Sequence, residues 1–349
     1  MSERAIHVGV LVGAVALAAW VFGVQARHPE RAHTVASEHA APLAIIPPGA
    51  AFVLTADIAQ LRHAALGSAL ATRFAKFGAG TGDLSKLCGF DPLASLDRLA
   101  LAVPDAGEHA NARAEDFGIV ASGRFTAAQI MRCATAAINA RGGDPISTEL
   151  GKFSSVRDRK AEGGEVAARD GGPLIVSGGS YFRALLDAAE GNAPKLEHQN
   201  PRDALHVALR RSLGAGTIVA TWLLSPGWFE RVSGDNSGRL SPLRGLKALG
   251  ARIELDRDAR VSVLVDYADA ANADDVKALL EQLQTSLASL PLDPILSGAA
   301  RRVLVGEEGA RLRLSLTLTQ AELEALLDSL TDTNPRAEPA DPAAHPEAP

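Results

Sequence analysis

The sequence predicts an α+β protein with two similar halves, each a mainly antiparallel sheet with helices packed on one face, preceded by an N-terminal transmembrane helix. Three observations predict this class. A strand, strand, helix order over residues 96–139 returns over residues 246–290. Residues 311–319 alternate between leucine and polar side chains, which is typical of an antiparallel strand with one wet face. Residues 5–24 contain no charged side chain.

The uncharged N-terminal segment is long enough to cross a membrane, because about 20 apolar residues span the hydrocarbon core as a helix. The alternative is a cleaved signal peptide, for which Val24-Gln25-Ala26 offers a small-residue cleavage site. Both interpretations favour export of the remainder. We therefore expect a single-pass inner-membrane protein with its body in the periplasm, or an exported protein after signal cleavage.

The rest of the chain divides by composition. Residues 1–26 form the predicted anchor, residues 27–44 a polar linker, and residues 45–192 a first α+β domain. Residues 202–330 form a second α+β domain, and residues 331–349 are a tail rich in proline, alanine and acidic residues. Such a tail cannot bury enough apolar surface to fold, so we expect it to be disordered.

In the first domain, periodicity predicts strands and helices in the order strand, two helices, two strands, helix, hairpin, strand, helix. The strands cover residues 52–57, 97–103, 117–125, 153–159, 165–169 and 174–177. The helices cover residues 58–77, 84–88, 126–139 and 181–189.

In the second domain, the strands cover residues 217–223, 251–255, 261–267, 301–306 and 311–319. The helices cover residues 202–213, 273–290 and 320–330, with another opening at residues 225–227. Residues 172–188 parallel residues 309–329, which suggests an internal repeat, although residues 90–93 and 292–295 offer a rival register. The alternative to duplication is an α+β protein in which hairpins and helices simply alternate.

Composition excludes one class of partner. The net charge of −6, with 35 Lys and Arg, argues against nucleic-acid binding, which normally needs a basic face. Hydrophobic residues make up 47% of the chain but aromatic residues only 4%, so the interior must consist mostly of Ala, Leu and Val.

The sequence contains two cysteines, Cys88 and Cys133. In an oxidising compartment such a pair favours a disulfide. The alternative is two unrelated buried thiols, because free cysteine is among the most buried residue types.

No catalytic, cofactor or metal motif is complete. The glycine run at residues 78–86 lacks the adjacent Gly-Lys-Ser/Thr of a phosphate loop and follows a predicted helix. Residues 234–238 have their serine one place late for a nucleophile elbow. The histidines of residues 28–39 lie in the linker without the spacing of a zinc helix. We therefore predict no cofactor and no metal site.

Three aromatic residues lie close together in this aromatic-poor chain: Trp222, Trp228 and Phe229. They would fill the core in the simpler interpretation. In the sharper one they line a groove for an apolar ligand or for the helix of a protein partner.

The segments 87–93 (Leu-Cys-Gly-Phe-Asp-Pro-Leu), 96–103 (Leu-Asp-Arg-Leu-Ala-Leu-Ala-Val) and 123–125 (Gly-Arg-Phe), together with Cys133, carry a resemblance. With them the chain resembles exported proteins of myxobacterial type, over about residues 45–190. The resemblance implies an envelope location and a paired-cysteine framework, and it implies no activity.

These observations favour a non-enzymatic, membrane-anchored envelope protein whose body binds a protein partner or an apolar ligand. The alternative is an extracytoplasmic hydrolase whose site combines residues distant in sequence, such as His63 and His206 with acidic residues. A pocket that joins His, acid and Ser within hydrogen-bond reach would favour the enzyme.

Overall fold

The computed structural model describes residues 41–67, 82–92, 94–105, 116–160, 164–196, 201–225, 243–287 and 294–325. The strands in these ranges are β1 (Ala50–Asp57), β2 (Leu96–Pro104), β3 (Gly118–Gly123), β4 (Pro145–Leu150), β5 (Phe153–Asp158), β6 (Glu165–Ala168), β7 (Leu174–Ser177), β8 (Ile218–Leu223), β9 (Leu246–Leu255), β10 (Ala259–Tyr267), β11 (Leu304–Glu308) and β12 (Arg311–Leu318). The α-helices include α1 (Ile58–His63), α2 (Gly82–Cys88), α3 (Ala127–Ala140), α4 (Tyr181–Glu190), α5 (Pro201–Leu213), α6 (Ala270–Leu287) and α7 (Pro294–Arg301), and a 3-10 helix covers Pro42–Ile45. Residues 65–67 and 320–325 are also helical, and the latter lie within the helix predicted for residues 320–330.

The strands form one antiparallel sheet in the order β11-β12-β10-β9-β8-β1-β2-β3-β7-β6-β5-β4. The prediction of an α+β protein built on antiparallel strands is confirmed, and these strands form one large sheet. The strands of the two predicted domains join in this one sheet, because β1 pairs with β8 from Phe52 opposite Trp222 to Ala56 opposite Ile218. The structure differs here from the expected pair of separate sheets.

Helices cover both faces of the sheet, whereas the sequence predicted helices on one face. Successive side chains of a strand point to opposite faces, so each strand contributes to both. We call the face that carries Leu54 and Leu101 the front, and the face that carries Val53 and Ala100 the back. Helices α1, α3, α6 and α7 pack on the front. Helices α4 and α5 and the 3-10 helix pack on the back.

The leucine spacing predicted a continuous helix to residue 77, but it is interrupted at Ala64: α1 ends at His63, and residues 65–67 are helical again. Ala64 takes an extended conformation with φ −70° and ψ 137°. Leu61 and Leu66 are five residues apart, a spacing that a continuous helix does not place on one side. The break lets both leucines reach the same front cluster, where they are 2% and 1% exposed. Residues 68–77 lie outside the described residues.

Helix α3 begins where the sequence indicated. The Thr126 hydroxyl accepts from the Gln129 backbone N–H, and the Gln129 side chain accepts from the Thr126 backbone N–H, a complete capping box. This helix also carries Cys133, which is bonded to Cys88 at the end of α2. The predicted disulfide is therefore confirmed, and it joins residues separated by 45 positions.

The pattern missed two elements at the edges of the fold. Strand β4 is an edge strand of the sheet, and Ser147, Thr148 and Glu149 are exposed, so no apolar alternation marks it. Helix α7 reaches Arg301, where a strand was predicted to begin, and the strand β11 follows at Leu304. Across the described ranges, no helix has the length and apolar content needed to span a membrane. The predicted anchor at residues 5–24 and the tail at residues 331–349 lie outside those ranges.

Candidate functional site: an apolar floor on the front of the sheet

Six neighbouring strands present an unbroken apolar surface on the front of the sheet. Their pairing aligns the front side chains in three rows that cross β2, β1, β8, β9, β10 and β12. The upper row is Val103, Phe52, Trp222, Leu249, Val265 and Leu312; the middle row is Leu101, Leu54, Ala220, Ala251, Val263 and Leu314; the lower row is Leu99, Ala56, Ile218, Ile253, Val261 and Leu316. Every position in these rows is apolar, and we call the three rows the front floor.

The front floor is mostly half-buried. Its buried members are Ala56, Leu99, Leu101 and Leu312, which lie under the helices of the front face, and every other member keeps partial contact with solvent. Seven of the half-buried members also pack against the buried clusters of the front face: Phe52, Leu54, Ile218, Ile253, Leu316, Leu249 and Val265. Partly accessible apolar side chains that lie side by side are candidate sites for ligands or partners. The front floor is therefore the candidate site.

Strand β8 displays the contrast between the two faces within six residues. Its back residues Val219, Thr221 and Leu223 are 6%, 1% and 2% exposed. Its front residues Ile218, Ala220 and Trp222 are all half-buried. Helix α5 covers the back of this strand, because Leu209 and Leu213 pack against Val219 and Leu223. The accessible face of β8 is thus the front.

Of the three aromatic residues that the sequence singled out, Trp222 lies in the upper row of the front floor. It sits opposite Phe52 on one side and opposite Leu249 on the other. Trp228 and Phe229 lie outside the described residues, so their part in the binding surface stays a prediction. Sequence analysis missed the aliphatic residues around Trp222, because they lie far apart in sequence. They become neighbours only when the six strands pair in the sheet.

The back of the β1–β8 pair is closed by a polar stripe on α5. Asp203, His206 and Arg210 are spaced three and four residues apart and so share one side of the helix. The Asp203 Oδ1 atom accepts from the Gly49 N–H at 3.0 Å. Arg210 donates to the Thr55 hydroxyl at 2.9 Å. The stripe therefore fastens α5 to the first strand of the other half of the sheet.

His206 is fully buried within that stripe. Its Nε2 atom lies 2.8 Å from the Ala50 carbonyl oxygen, and its Nδ1 atom lies 2.8 Å from the Thr221 hydroxyl. Because a carbonyl can only accept, Nε2 carries the proton and Nδ1 accepts from Thr221. Burial, with a smaller contribution from the charges of Arg210 and Arg202, lowers the pKa of His206 to about 4, although the hydrogen bond to Ala50 opposes this shift. The imidazole is neutral at pH 7.

The two histidines of the hydrolase alternative are not brought together. His63 is exposed at the end of α1 on the front, whereas His206 is 0% exposed on the back. Both nitrogens of His206 are engaged by Ala50 and Thr221, and Thr221 is 1% exposed, so no substrate reaches this pair. The sheet separates the two groups that the hydrolase alternative would have combined.

A separate groove of about 550 Å³ runs between α2 and α3 beside the disulfide. Leu87, Met131 and Ala136 give it an apolar lining, and Lys86 and Arg132 also line it. None of its lining residues is a histidine or an acid, so it holds no acid–base pair. Within the described ranges, no three His, Cys, Asp or Glu side chains converge as metal ligands.

Comparison with known proteins adds a similarity of fold. Neither a protein-family model nor a curated protein matches the chain. Two solved structures, crystal forms III and I of a protein named TP0453, are similar at 14% and 15% sequence identity with TM-scores of 0.47 and 0.46. Each alignment covers 83% of this chain and 98% of the other. We draw no conclusion about function from this similarity.

Proposed function

We propose that this chain is a non-enzymatic, membrane-anchored envelope protein whose body binds an apolar ligand on the front floor. The observation that carries the proposal is the set of three rows without a polar side chain, most of them half-buried. Burying apolar area is worth roughly 25 cal/mol per Å², so a ligand that covers several of these side chains gains useful affinity without hydrogen bonds. A protein partner that presents an apolar helix is the other occupant compatible with such a surface.

The test is photolabelling of the full-length protein in lipid nanodiscs with a long-chain alkyl diazirine. We expect saturable labelling at front positions such as Ala220 and Ala251. Excess unlabelled alkanol should compete for it, and back positions such as Val219 should stay unlabelled. Labelling that does not saturate, or that strikes both faces equally, would contradict the proposal. Alkanols that fail to compete while an apolar peptide does would favour the protein partner instead.

Two adjacent residues of β10 provide matched variants. Val263 lies in the middle row of the front floor, whereas its neighbour Ser262 points to the back, and both are half-buried. A carboxylate at residue 263 would have to be buried against apolar side chains when the ligand binds, which is costly. Val263→Glu should therefore abolish saturable labelling, and Ser262→Glu should leave it intact.

The membrane anchor is proposed from the uncharged residues 5–24. The disulfide between Cys88 and Cys133 supports an oxidising compartment, because disulfides persist outside the reducing cytosol. The resemblance to exported proteins of myxobacterial type agrees with that location. Alkaline washing of cell membranes is the check: an anchored chain stays with the membrane, and a chain released at reduced mass indicates cleavage near residue 26.

The order of strands supports the proposed internal repeat. Moving outward from β1 the order is β2, β3, β7, β6, and outward from β8 it is β9, β10, β12, β11. In chain order, α3 follows β3 as α6 follows β10. This correspondence favours the register that aligns residues 172–188 with residues 309–329 over the rival one. Superposing β1-β2-β3-β7 on β8-β9-β10-β12 tests it, since failure to bring α3 near α6 would contradict duplication.

A further inference from the structure

The groove between α2 and α3 follows one side of α3 for two turns. Leu87 of α2 forms the opposite wall and is 41% exposed. The α3 residues of the lining recur every four positions and so lie on one side of the helix: Met131, Arg132, Thr135, Ala136 and Asn139. From residue 131 to residue 139 the helix rises by about 12 Å, at about 1.5 Å per residue. The groove is therefore long enough for about four residues of an extended peptide, which rises about 3.1 Å per residue.

The charged side chains in the lining of this groove are both cations. Lys86 lies on α2 and Arg132 on α3, and both are exposed. Within the part of the chain that the structure describes, Arg132 forms neither a hydrogen bond nor an ion pair. Leu87 and Met131 supply apolar walls beside these charges. An occupant that complements the groove is therefore both apolar and acidic.

A segment with this combination follows the described part of the chain. Residues 338–343 read Glu-Pro-Ala-Asp-Pro-Ala, an acid-proline-alanine unit that occurs twice in succession. Proline favours the polyproline II helix, which has three residues per turn and rises about 3.1 Å per residue. In that conformation a three-residue repeat places Glu338 and Asp341 on one side, about 9 Å apart, and apolar residues on the other two sides. The acids match the cations of the groove, and the prolines and alanines match its walls.

The connection is long enough for this segment to reach the groove of its own molecule. Leu323 packs in the front cluster that contains Ala259 of β10, and α3 packs on β6 on the same face. Seven strand spacings separate β10 from β6, about 34 Å at about 4.8 Å each. Residues 326–338 extend to about 43 Å, at about 3.3 Å per residue. Such a tether holds the segment at a millimolar effective concentration, so weak contacts are enough for binding.

We propose that residues 338–343 bind in the groove between α2 and α3 of their own chain, with Glu338 and Asp341 against Lys86 and Arg132. The groove and the front floor are different surfaces, so this inference goes beyond the proposed function and does not depend on it. A segment whose composition cannot form a core of its own can still bind a surface that is already folded. Once bound, it covers the exposed side chain of Leu87.

Zero-length cross-linking with a carbodiimide tests the proposal on the full-length protein in lipid nanodiscs. The reagent joins a lysine amine to a carboxylate in contact with it, and mass spectrometry of the digested product identifies the pair. We expect Lys86 to be joined to Glu338 or Asp341 in a product of monomer size. The yield should fall as salt is added, because exposed ion pairs are screened. Lys160, which is exposed just after β5, is the internal control and should not form this bond.

Two arginine variants provide a matched comparison. Arg132→Glu reverses a charge in the groove, whereas Arg183→Glu makes the same change at an exposed position of α4. The first should lower the yield of the Lys86 cross-link about fivefold, the upper range for one exposed ion pair, and the second should leave it unchanged. In the Arg132→Glu protein, either Glu338→Arg or Asp341→Arg should restore the cross-link between Lys86 and the remaining acid.

Every outcome supports or overturns the proposal. A missing cross-link at Lys86, or an equal yield at Lys160, would show that residues 338–343 do not bind the groove. A pair found only in a product of dimer size would place the segment on a second copy and overturn binding within one chain. Equal losses in the two arginine variants, or no restoration by charge exchange, would overturn the assigned contacts. Thermal unfolding of each variant confirms that a changed yield does not come from a changed fold.

Discussion

The two faces of the central strands β1 and β8 contrast in how they are used. On the back, Val53 and Thr221 lie opposite each other at 0% and 1% exposed, under the polar stripe of α5. On the front, their neighbours Phe52 and Trp222 also lie opposite each other but remain half-buried. At these positions the same backbone thus carries one fully buried face and one half-buried face. The difference teaches that the back stabilises the fold, whereas the half-buried front is the face on which the binding proposal rests.

The buried back of the sheet contains polar groups whose hydrogen-bond partners all belong to the protein itself. His206 and Arg210 together engage the Ala50 and Val53 carbonyl oxygens, at 2.8 and 3.1 Å. Arg210 also reaches the Val219 carbonyl at 3.2 Å, so one side chain contacts both strands of the pair. Tyr181 lies nearby, and burial together with the charge of Asp203 raises its pKa, which keeps the phenol protonated. Rupture of this cluster would leave buried groups without partners, which is costly.

The largest expected effect is on the free energy of unfolding, when leucine is replaced by alanine once on the back and once on the front. Leu264 points to the back and is 0% exposed, whereas Leu314 lies in the front floor and is half-buried. Leu264→Ala should lower the free energy of unfolding by up to about 5 kcal/mol, because it leaves a cavity under α5. Leu314→Ala should cost only about 1 kcal/mol, because less of its apolar area leaves water on folding. Urea-induced unfolding, followed by circular dichroism, measures both.

Comparable losses for the two variants would break the comparison between the faces. They would mean that the front floor is packed as tightly as the back and offers no free surface. Since β12 pairs with β10, Leu264 and Leu314 belong to neighbouring strands of one sheet, so strand disruption affects both variants alike.

The contrast explains how much of the fold was predictable. Apolar strands such as β2, whose residues 99–102 are all buried, are recognisable from composition alone. The alternation in β12 identified its apolar side correctly, with Leu312, Leu314, Leu316 and Leu318 all on the front. The edge strand β4 was missed because its exposed polar residues carry no alternation. A strand can therefore be recognised from the sequence when burial leaves a mark on its residues, either as a run of apolar residues or as their alternation with polar ones.

The next effect compares how a helix is held on each side of the sheet. Helix α5 is fastened to the back by hydrogen bonds, whereas α2 is bonded to α3 through Cys88 and Cys133. Closing a loop of 45 residues should stabilise the fold by roughly 4 kcal/mol through chain entropy. The double variant Cys88→Ser/Cys133→Ser should lose about that free energy of unfolding in the same urea titration.

A dithiol reductant provides the control. It should destabilise the unmodified protein to the level of the double serine variant and leave that variant unchanged. If the reductant destabilised both proteins equally, the bond between Cys88 and Cys133 would not be the cause. If it changed neither, the disulfide would contribute nothing to the free energy of unfolding.

The front floor was beyond sequence reasoning for a physical reason. Phe52 and Trp222 come from different halves of the chain and become neighbours through the pairing of β1 with β8. Within each strand, the front residues look like ordinary core residues, because half-burial leaves no mark on sequence. Trp222 was singled out by its rarity in an aromatic-poor chain. Its aliphatic neighbours, Ala220 and Ala251 among them, carry no such signal.

The smallest of the three expected effects is the pH dependence of the free energy of unfolding that the buried His206 causes on the back of the sheet. The pKa of His206 is about 4 in the folded protein, against about 6.5 in the unfolded chain. Between these values the unfolded chain binds one more proton, so the free energy of unfolding falls as the pH falls from about 6.5 to 4. The difference of about 2.5 pKa units corresponds to roughly 3 kcal/mol. Urea titrations at half-unit pH steps measure it.

His206→Gln is the matched control, because its amide can donate to the Ala50 carbonyl and accept from the Thr221 hydroxyl without titrating in this range. The variant should lose less of its free energy of unfolding than the unmodified protein between pH 6.5 and 4. The acidic group Asp158 affects stability at a lower pH than His206 does. Hydrogen bonds from the Asp144 and Lys160 backbone N–H groups lower the pKa of Asp158 below its usual value of 3.8, so the stability that its carboxylate provides is lost below that pH. An unmodified protein whose stability stayed flat from pH 6.5 to 4 would mean that His206 is not sealed. Water would then reach His206 on the back of the sheet.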